Sequence, residues 1–154
     1  MCEYCGCQSV PAIAQLTAEH DRLVDLIGET RAAHRRGDVA TMLELCQRMS
    51  AILVPHAAVE EHGLFPAMAP DFPEQIATLE AEHRRIEAVL GAAGNGTAEA
   101  DESWPARVIE TLAVLRKHIF KEQDGVFPAA LSTLSNDQWD RIGELQAAQK
   151  LLPI

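Results

Sequence analysis

The chain is organised around His56-Ala-Ala-Val-Glu60-Glu61-His62-Gly63-Leu64-Phe65-Pro66, which has a twin in His118-Ile-Phe-Lys-Glu122-Gln123-Asp124-Gly125-Val126-Phe127-Pro128. The two stretches align without a gap, and both close on Gly, an aliphatic residue, Phe and Pro. Residues four apart on a helix sit one above the other, with Cβ atoms roughly 5–6 Å apart. His56 with Glu60, and His118 with Glu122, therefore each present an imidazole and a carboxylate to the same point. Two such arms facing each other can hold two metal ions between them.

A second repeat lies upstream of each arm. Leu16-Thr-Ala-Glu-His20-Asp-Arg-Leu23 matches Leu79-Glu-Ala-Glu-His83-Arg-Arg-Ile86. The order His, then His-x-x-x-Glu, is thus that of a helical hairpin used twice. With short connections it predicts an all-α, up-down-up-down four-helix bundle.

The flanking pattern agrees. Ile13, Leu16, His20, Leu23 and Ile27 share one face of a helix opened by Pro11. Gly37 suits its end, and Asp38 can cap a second helix carrying Met42, Cys46, Met49, Leu53, His56 and Glu60. Pro55 interrupts that stripe, either as a tolerated kink or as a bend that aims His56. Pro66, Pro70 and Pro73 mark the turn to a third helix with Ile76, Leu79, His83, Ile86 and Leu90 on one side. Residues 91–101, rich in Gly and Ala and without periodicity, read as a mobile loop. A fourth helix starts near Trp104-Pro105 and bears Val108, Leu112 (or Thr111), Leu115, His118, Glu122 and Val126. Ser135 to Gln138 resembles a capping box opening an additional short C-terminal helix, with Trp139, Ile142 and Leu145 or Gln146 on one side. The expected organisation is a Cys-rich tail over 1–10, the bundle over 11–132 and the packed C-terminal helix over 133–154.

The 154 residues suffice for one domain with a proper core. A formal charge of −10 argues against nucleic acid or an anionic membrane surface as partner. No apolar run approaches the roughly 18 residues needed to span a bilayer. The start, Met-Cys-Glu-Tyr-Cys, lacks the pattern of a signal peptide, so a cytoplasmic protein is expected. Three of the four cysteines, Cys2, Cys5 and Cys7, crowd the N-terminus, and in a reducing compartment these are no disulfide framework. Arg36-Gly37-Asp38 reads as a tight turn rather than an adhesion signal.

His20, His56, His83, His118, Glu60 and Glu122 all fall on core-facing stripes. Carboxylates are almost never fully buried unless paired, and an unpaired buried charge is very costly. A bound cation removes that conflict by accepting these lone pairs. Imidazole with carboxylate, and no thiolate on the stripes, suits non-haem iron, with zinc and manganese as alternatives. The internal symmetry gives each ion two histidines, with Glu60 and Glu122 bridging. A ferritin-like site needs Glu-x-x-His on two helices; Glu80 to His83 fits, but Thr17 stands at the matching position before His20. His62 and His34 read as solvent-facing, Glu61 as pointing to water rather than reaching the metal, and Glu19 and Glu82 as surface partners of Arg22 and Arg85.

On these residues the chain resembles the hemerythrin family, in particular its bacterial, HHE cation-binding type, over roughly residues 13 to 130. The resemblance implies a non-haem di-iron centre with an oxo or hydroxo bridge. It carries over as ligands His20, His56, Glu60, His83, His118 and Glu122. Oxygen-carrying members have a further histidine one turn after the third-helix histidine, where this chain has Glu87. That departure makes Glu87 an additional candidate at the metal and favours turnover over reversible O2 carriage. Tyr4, on the tail, is a second additional candidate, as part of a flap over one end of the bundle.

The function expected from this resemblance is redox chemistry with O2, H2O2 or NO, as a peroxidase-like or nitric-oxide oxidoreductase with an unknown electron donor. The alternative is a module that binds or senses oxygen or iron without turnover.

Overall fold

The structure, a computed structural model, describes residues 10–151. Its elements are α1 (Pro11–Arg35), α2 (Val39–Val59), α3 (Phe65–Met68), α4 (Pro73–Asn95), α5 (Trp104–Lys121), α6 (Phe127–Thr133) and α7 (Asn136–Lys150). Single π-helical turns, Glu60–Leu64 and Glu122–Val126, join α2 to α3 and α5 to α6 without leaving helical backbone. Four long rods result, and they pack as a ring in which α1 meets α2, α2 meets α4, α4 meets α5 and α5 returns to α1. This is the four-helix bundle that the doubled hairpin predicts. Among the described residues no helix is long and apolar enough to cross a membrane.

Local chemistry sets the helix ends. Gly37 takes φ +70°, and Asp38 then accepts from the backbone N–H of Thr41 at 3.1 Å to start α2. Gly96, at φ +83°, ends α4 in the left-handed conformation that glycine adopts without strain. The helix therefore runs through residues 91–95, where the sequence pattern predicts a loop. Leu90 and Ala93 are buried in the core, and that packing sustains the helix despite its glycines. Trp104 anchors the return, donating from Nε1 to the carbonyl of Val89 at 2.9 Å in the buried core. Ser135 and Gln138 form the expected capping box at the start of α7.

The two π turns explain the shared Gly-aliphatic-Phe-Pro ending. A proline ring clashes with the carbonyl four residues before it in regular α-helix. For Pro66 and Pro128 those residues are His62 and Asp124, both inside the widened turns. The amides of Phe65 and Phe127 reach back five residues, to the carbonyls of Glu60 and Glu122. Pro55, by contrast, is absorbed within α2, and the twin position is Lys117. Because both copies make the same π turn, Pro55 is not what shapes that turn.

The core divides into two clusters, each fed by all four rods. One includes Leu23, Leu53, Ile86 and Leu115, and the other Leu16, Leu64, Leu79 and Phe127. Along every rod the metal-motif residue lies between members of the two, so apolar packing seals that level of the bundle from both ends.

α7 covers only the first half. Its Ile142 is buried, and Gln146 donates to the carbonyl of Ala12 at 2.9 Å. The matching surface of the second half, around Ile76, Leu79, Gly125 and Val126, is an open apolar groove of about 560 Å³. This difference yields a test. A Cβ on Gly63 would lie 2.9 Å from Leu145 Cδ1 and 3.1 Å from Ile142 Cγ1, whereas one on Gly125 meets nothing within 4 Å. Gly63→Val is expected to destabilise the chain by about 1–3 kcal/mol through overpacking under α7. Gly125→Val should cost less than half as much, and urea denaturation of the two variants measures the contrast.

Candidate metal centre

The four rods bring His20, His56, His83, His118, Glu60 and Glu122 to one level, each nearly or completely out of solvent. They form two overlapping groups, His20-His56-Glu60-Glu122 and His83-His118-Glu60-Glu122, whose nitrogen and oxygen atoms lie within 4.8 Å of one another in each group. The carboxylates belong to both groups. Glu122 Oε1 stands 3.0 Å from His20 Nε2 and 3.4 Å from His118 Nε2, and Glu60 Oε1 stands 3.1 Å from His83 Nε2 and 3.4 Å from His56 Nε2. The paired rings are spaced alike, with centroids 4.7 Å apart for His20 and His56 and 4.6 Å for His83 and His118. Phe127 stacks on His20 and Phe65 on His83, each at 5.6 Å, which gives the phenylalanine of each motif its task.

The Nδ1 atoms face outward, and every one has an acceptor on a neighbouring rod. His20 pairs with Gln123 Oε1 at 3.0 Å, His56 with Glu19 at 2.9 Å, His83 with Glu61 at 3.2 Å and His118 with Glu82 at 3.0 Å. An acceptor at Nδ1 places the proton there and turns the Nε2 lone pair inward, the tautomer that a metal requires.

Over residues 12–130 the chain matches the family model described as the hemerythrin HHE cation binding domain. The chain belongs to the hemerythrin family. Comparison with curated proteins and with solved structures returned no significant match.

The residues fit the cation that the hemerythrin family binds. Among the described residues, the buried side-chain nitrogen and oxygen atoms without a hydrogen-bond partner are His20 Nε2, His83 Nε2, His118 Nε2 and both carboxylate oxygens of Glu60 and Glu122. All belong to this one cluster. Their mutual separations are short, but the directions are not those of hydrogen bonds, as befits lone pairs converging on a common point. Among the described residues the other buried side-chain nitrogen and oxygen atoms are satisfied, so a cation site accounts for the exceptions.

Several sequence assignments change. Glu61 neither reaches the cluster nor simply faces water; it accepts from His83 Nδ1. Glu19 and Glu82 are not surface partners of Arg22 and Arg85 but acceptors for His56 and His118, and Lys121 holds the second oxygen of Glu82 at 2.7 Å. For Gln123 the sequence offers one signal, its place directly after Glu122. Glu87 joins neither ligand group; it is half-buried near His83 and Glu61. His62 and His34 are exposed, as their positions off the stripes imply. Tyr4, Cys2, Cys5 and Cys7 lie outside the described residues. Cys46 is buried in the core, where desolvation pushes its thiol up to about 12 and keeps it a protonated, apolar filler.

Without a metal the hemerythrin-type centre is held by protons. Burial pulls the imidazoles down, yet the carboxylates outweigh it: His56 is raised well above its usual value by Glu60, Glu19 and Glu122, and His83 is raised by Glu60. His118 is raised to about 9, against burial, by Glu122, Glu60 and Glu82. Burial raises Glu122, but Glu60, His118 and His20 together hold it well below the usual carboxylate range. A raised histidine contributes stability that is fully present below its unfolded value of 6.5 and is lost as pH rises through the folded value of about 9. Metal-free protein is therefore expected to melt at progressively lower temperature between about pH 6.5 and pH 9. Metal-loaded protein should not show this decline, because the cation replaces the protons. Thermal melts of chelator-treated and loaded samples across that range check the sign.

Proposed function

We propose that the chain is a non-haem di-iron protein whose centre reacts with O2, peroxide or nitric oxide. The observation that carries this reading is the pair of overlapping ligand groups sharing Glu60 and Glu122. Two histidines per group and two shared carboxylates suit a pair of iron ions that both keep coordination places for a small ligand. Such a pair supplies electron-transfer chemistry to small oxidants.

The chain's own groups do the remaining work. His20, His56, His83 and His118 donate through Nε2, and the fixed Nδ1 partners prevent the rings from turning. Glu60 and Glu122, which belong to both ligand groups, would hold both ions and offset their positive charge. The two apolar clusters flank the centre and keep bulk water from it. No third histidine accompanies either group, and Glu87 joins neither. This arrangement favours turnover of peroxide or nitric oxide over reversible O2 carriage. A reducing, cytoplasmic setting with a protein or small-molecule electron donor suits this role.

Purified protein is expected to hold close to two irons per chain, and the double change His56→Ala, His118→Ala should abolish that loading. Elemental analysis together with visible spectra of the reduced protein after O2, peroxide and NO are the measurements. A single tightly held zinc would refute the di-iron assignment. A long-lived adduct that releases O2 under vacuum, with no consumption of peroxide, would make the chain a carrier.

A further inference from the structure

The two halves of the centre agree ligand for ligand but differ in what stands behind the ligands. His20 and His83 are counterparts in the repeat, and so are the residues that accept from their Nδ1 atoms. For His20 that acceptor is the neutral amide of Gln123, at 3.0 Å; for His83 it is the carboxylate of Glu61, at 3.2 Å. The other two acceptors do match, since Glu19 serves His56 at 2.9 Å and Glu82 serves His118 at 3.0 Å.

Two further departures from the repeat bear on this contrast. Glu87 lies near His83 and Glu61, and its counterpart in the first half is Val24. Lys121 bonds Glu82 at 2.7 Å, and its counterpart is Val59. The ammonium offsets one carboxylate, but it does so through the far oxygen of Glu82 and leaves the Glu61–His83 bond untouched. The difference is therefore concentrated at the acceptor in direct contact with a ligand ring.

A carboxylate at Nδ1–H increases the basicity of the ring more than an amide does, because a charge-assisted hydrogen bond is roughly twice as strong as a neutral one. The more basic ring is the stronger donor at Nε2.

We propose that the two metal positions are unequal: the position of His83 and His118 fills first and releases its ion last, and the position of His20 and His56 is the labile one. This rests on the two-metal reading given above. It makes Glu61 and Gln123 positioning residues that set the order of loading, and it gives the chain a defined one-metal form on the way to the full centre.

The test is a titration of the metal-free full-length chain with cobalt(II) under anaerobic conditions, followed by visible absorption. In parallel, crystals with one equivalent of cobalt are examined by anomalous scattering. Two resolved binding steps are expected, with the first ion beside His83 and His118. Glu61→Gln should weaken the first step by about tenfold to a hundredfold, the usual consequence of altering a partner of a metal-bound histidine. Gln123→Glu should tighten the second step and bring the two together. Both changes preserve side-chain shape, and circular dichroism of the metal-free variants verifies that the bundle is intact. An even distribution of the first ion, a first ion beside His20 and His56, or steps unmoved by both substitutions would overturn the inference while leaving a two-metal centre in place. Uptake of only one ion in total would overturn the two-metal reading itself, and this inference with it.

Discussion

Glu60 and Glu122 sit at the middle of a helical bundle with no exposure to solvent, facing four imidazoles that are almost as deeply buried. Burying even one carboxylate costs several kcal/mol after relaxation, so a pair is tolerated only with positive charge beside it. In the metal-free chain the raised histidines provide that charge as protons, and in the loaded chain the cation provides it. Positive charge faces the carboxylates in either state, and exchanging one for the other couples metal uptake to proton release. The helices, their caps and the two apolar clusters serve to hold six polar side chains at a level where water cannot solvate them.

The doubled hairpin accounts for most of this geometry. Each copy contributes one histidine from its first helix and a His-x-x-x-Glu arm from its second, and each arm ends in a π turn that accommodates its proline. The phenylalanine before that proline crosses to stack on a histidine of a neighbouring rod, Phe65 on His83 and Phe127 on His20. Repetition does not make the halves identical. α7 packs on the first π turn and leaves little room for a side chain at Gly63, while the second stays open beside an apolar groove. The symmetry of the two halves is thus closer in the six converging side chains than in the shell around them.

The outward-facing nitrogens show how the shell acts on the ligands. Every Nδ1 has an acceptor on a different rod, so the rings are fixed by contacts between helices rather than within them. A change in helix packing would shift these acceptors first and the metal-facing atoms with them. Bundle stability and the donor properties of the centre are therefore tied together physically.

The bundle and the six converging side chains were legible in the sequence because helical periodicity is local: residues three and four apart must share a face, and a polar residue on an apolar face must find a partner. The capping box at Ser135 was legible for the same reason. The extension of α4 to Asn95 was not, because glycines weaken the pattern while burial of Leu90 and Ala93 sustains the helix. Nor were the roles of Glu19, Glu61, Glu82 and Gln123. These lie at the edge of their stripes, where sequence cannot tell a solvated side chain from one that reaches across a helix interface. Their partners are on other rods, and only the packing of those rods, which sets distances between residues remote in sequence, decides the pairing.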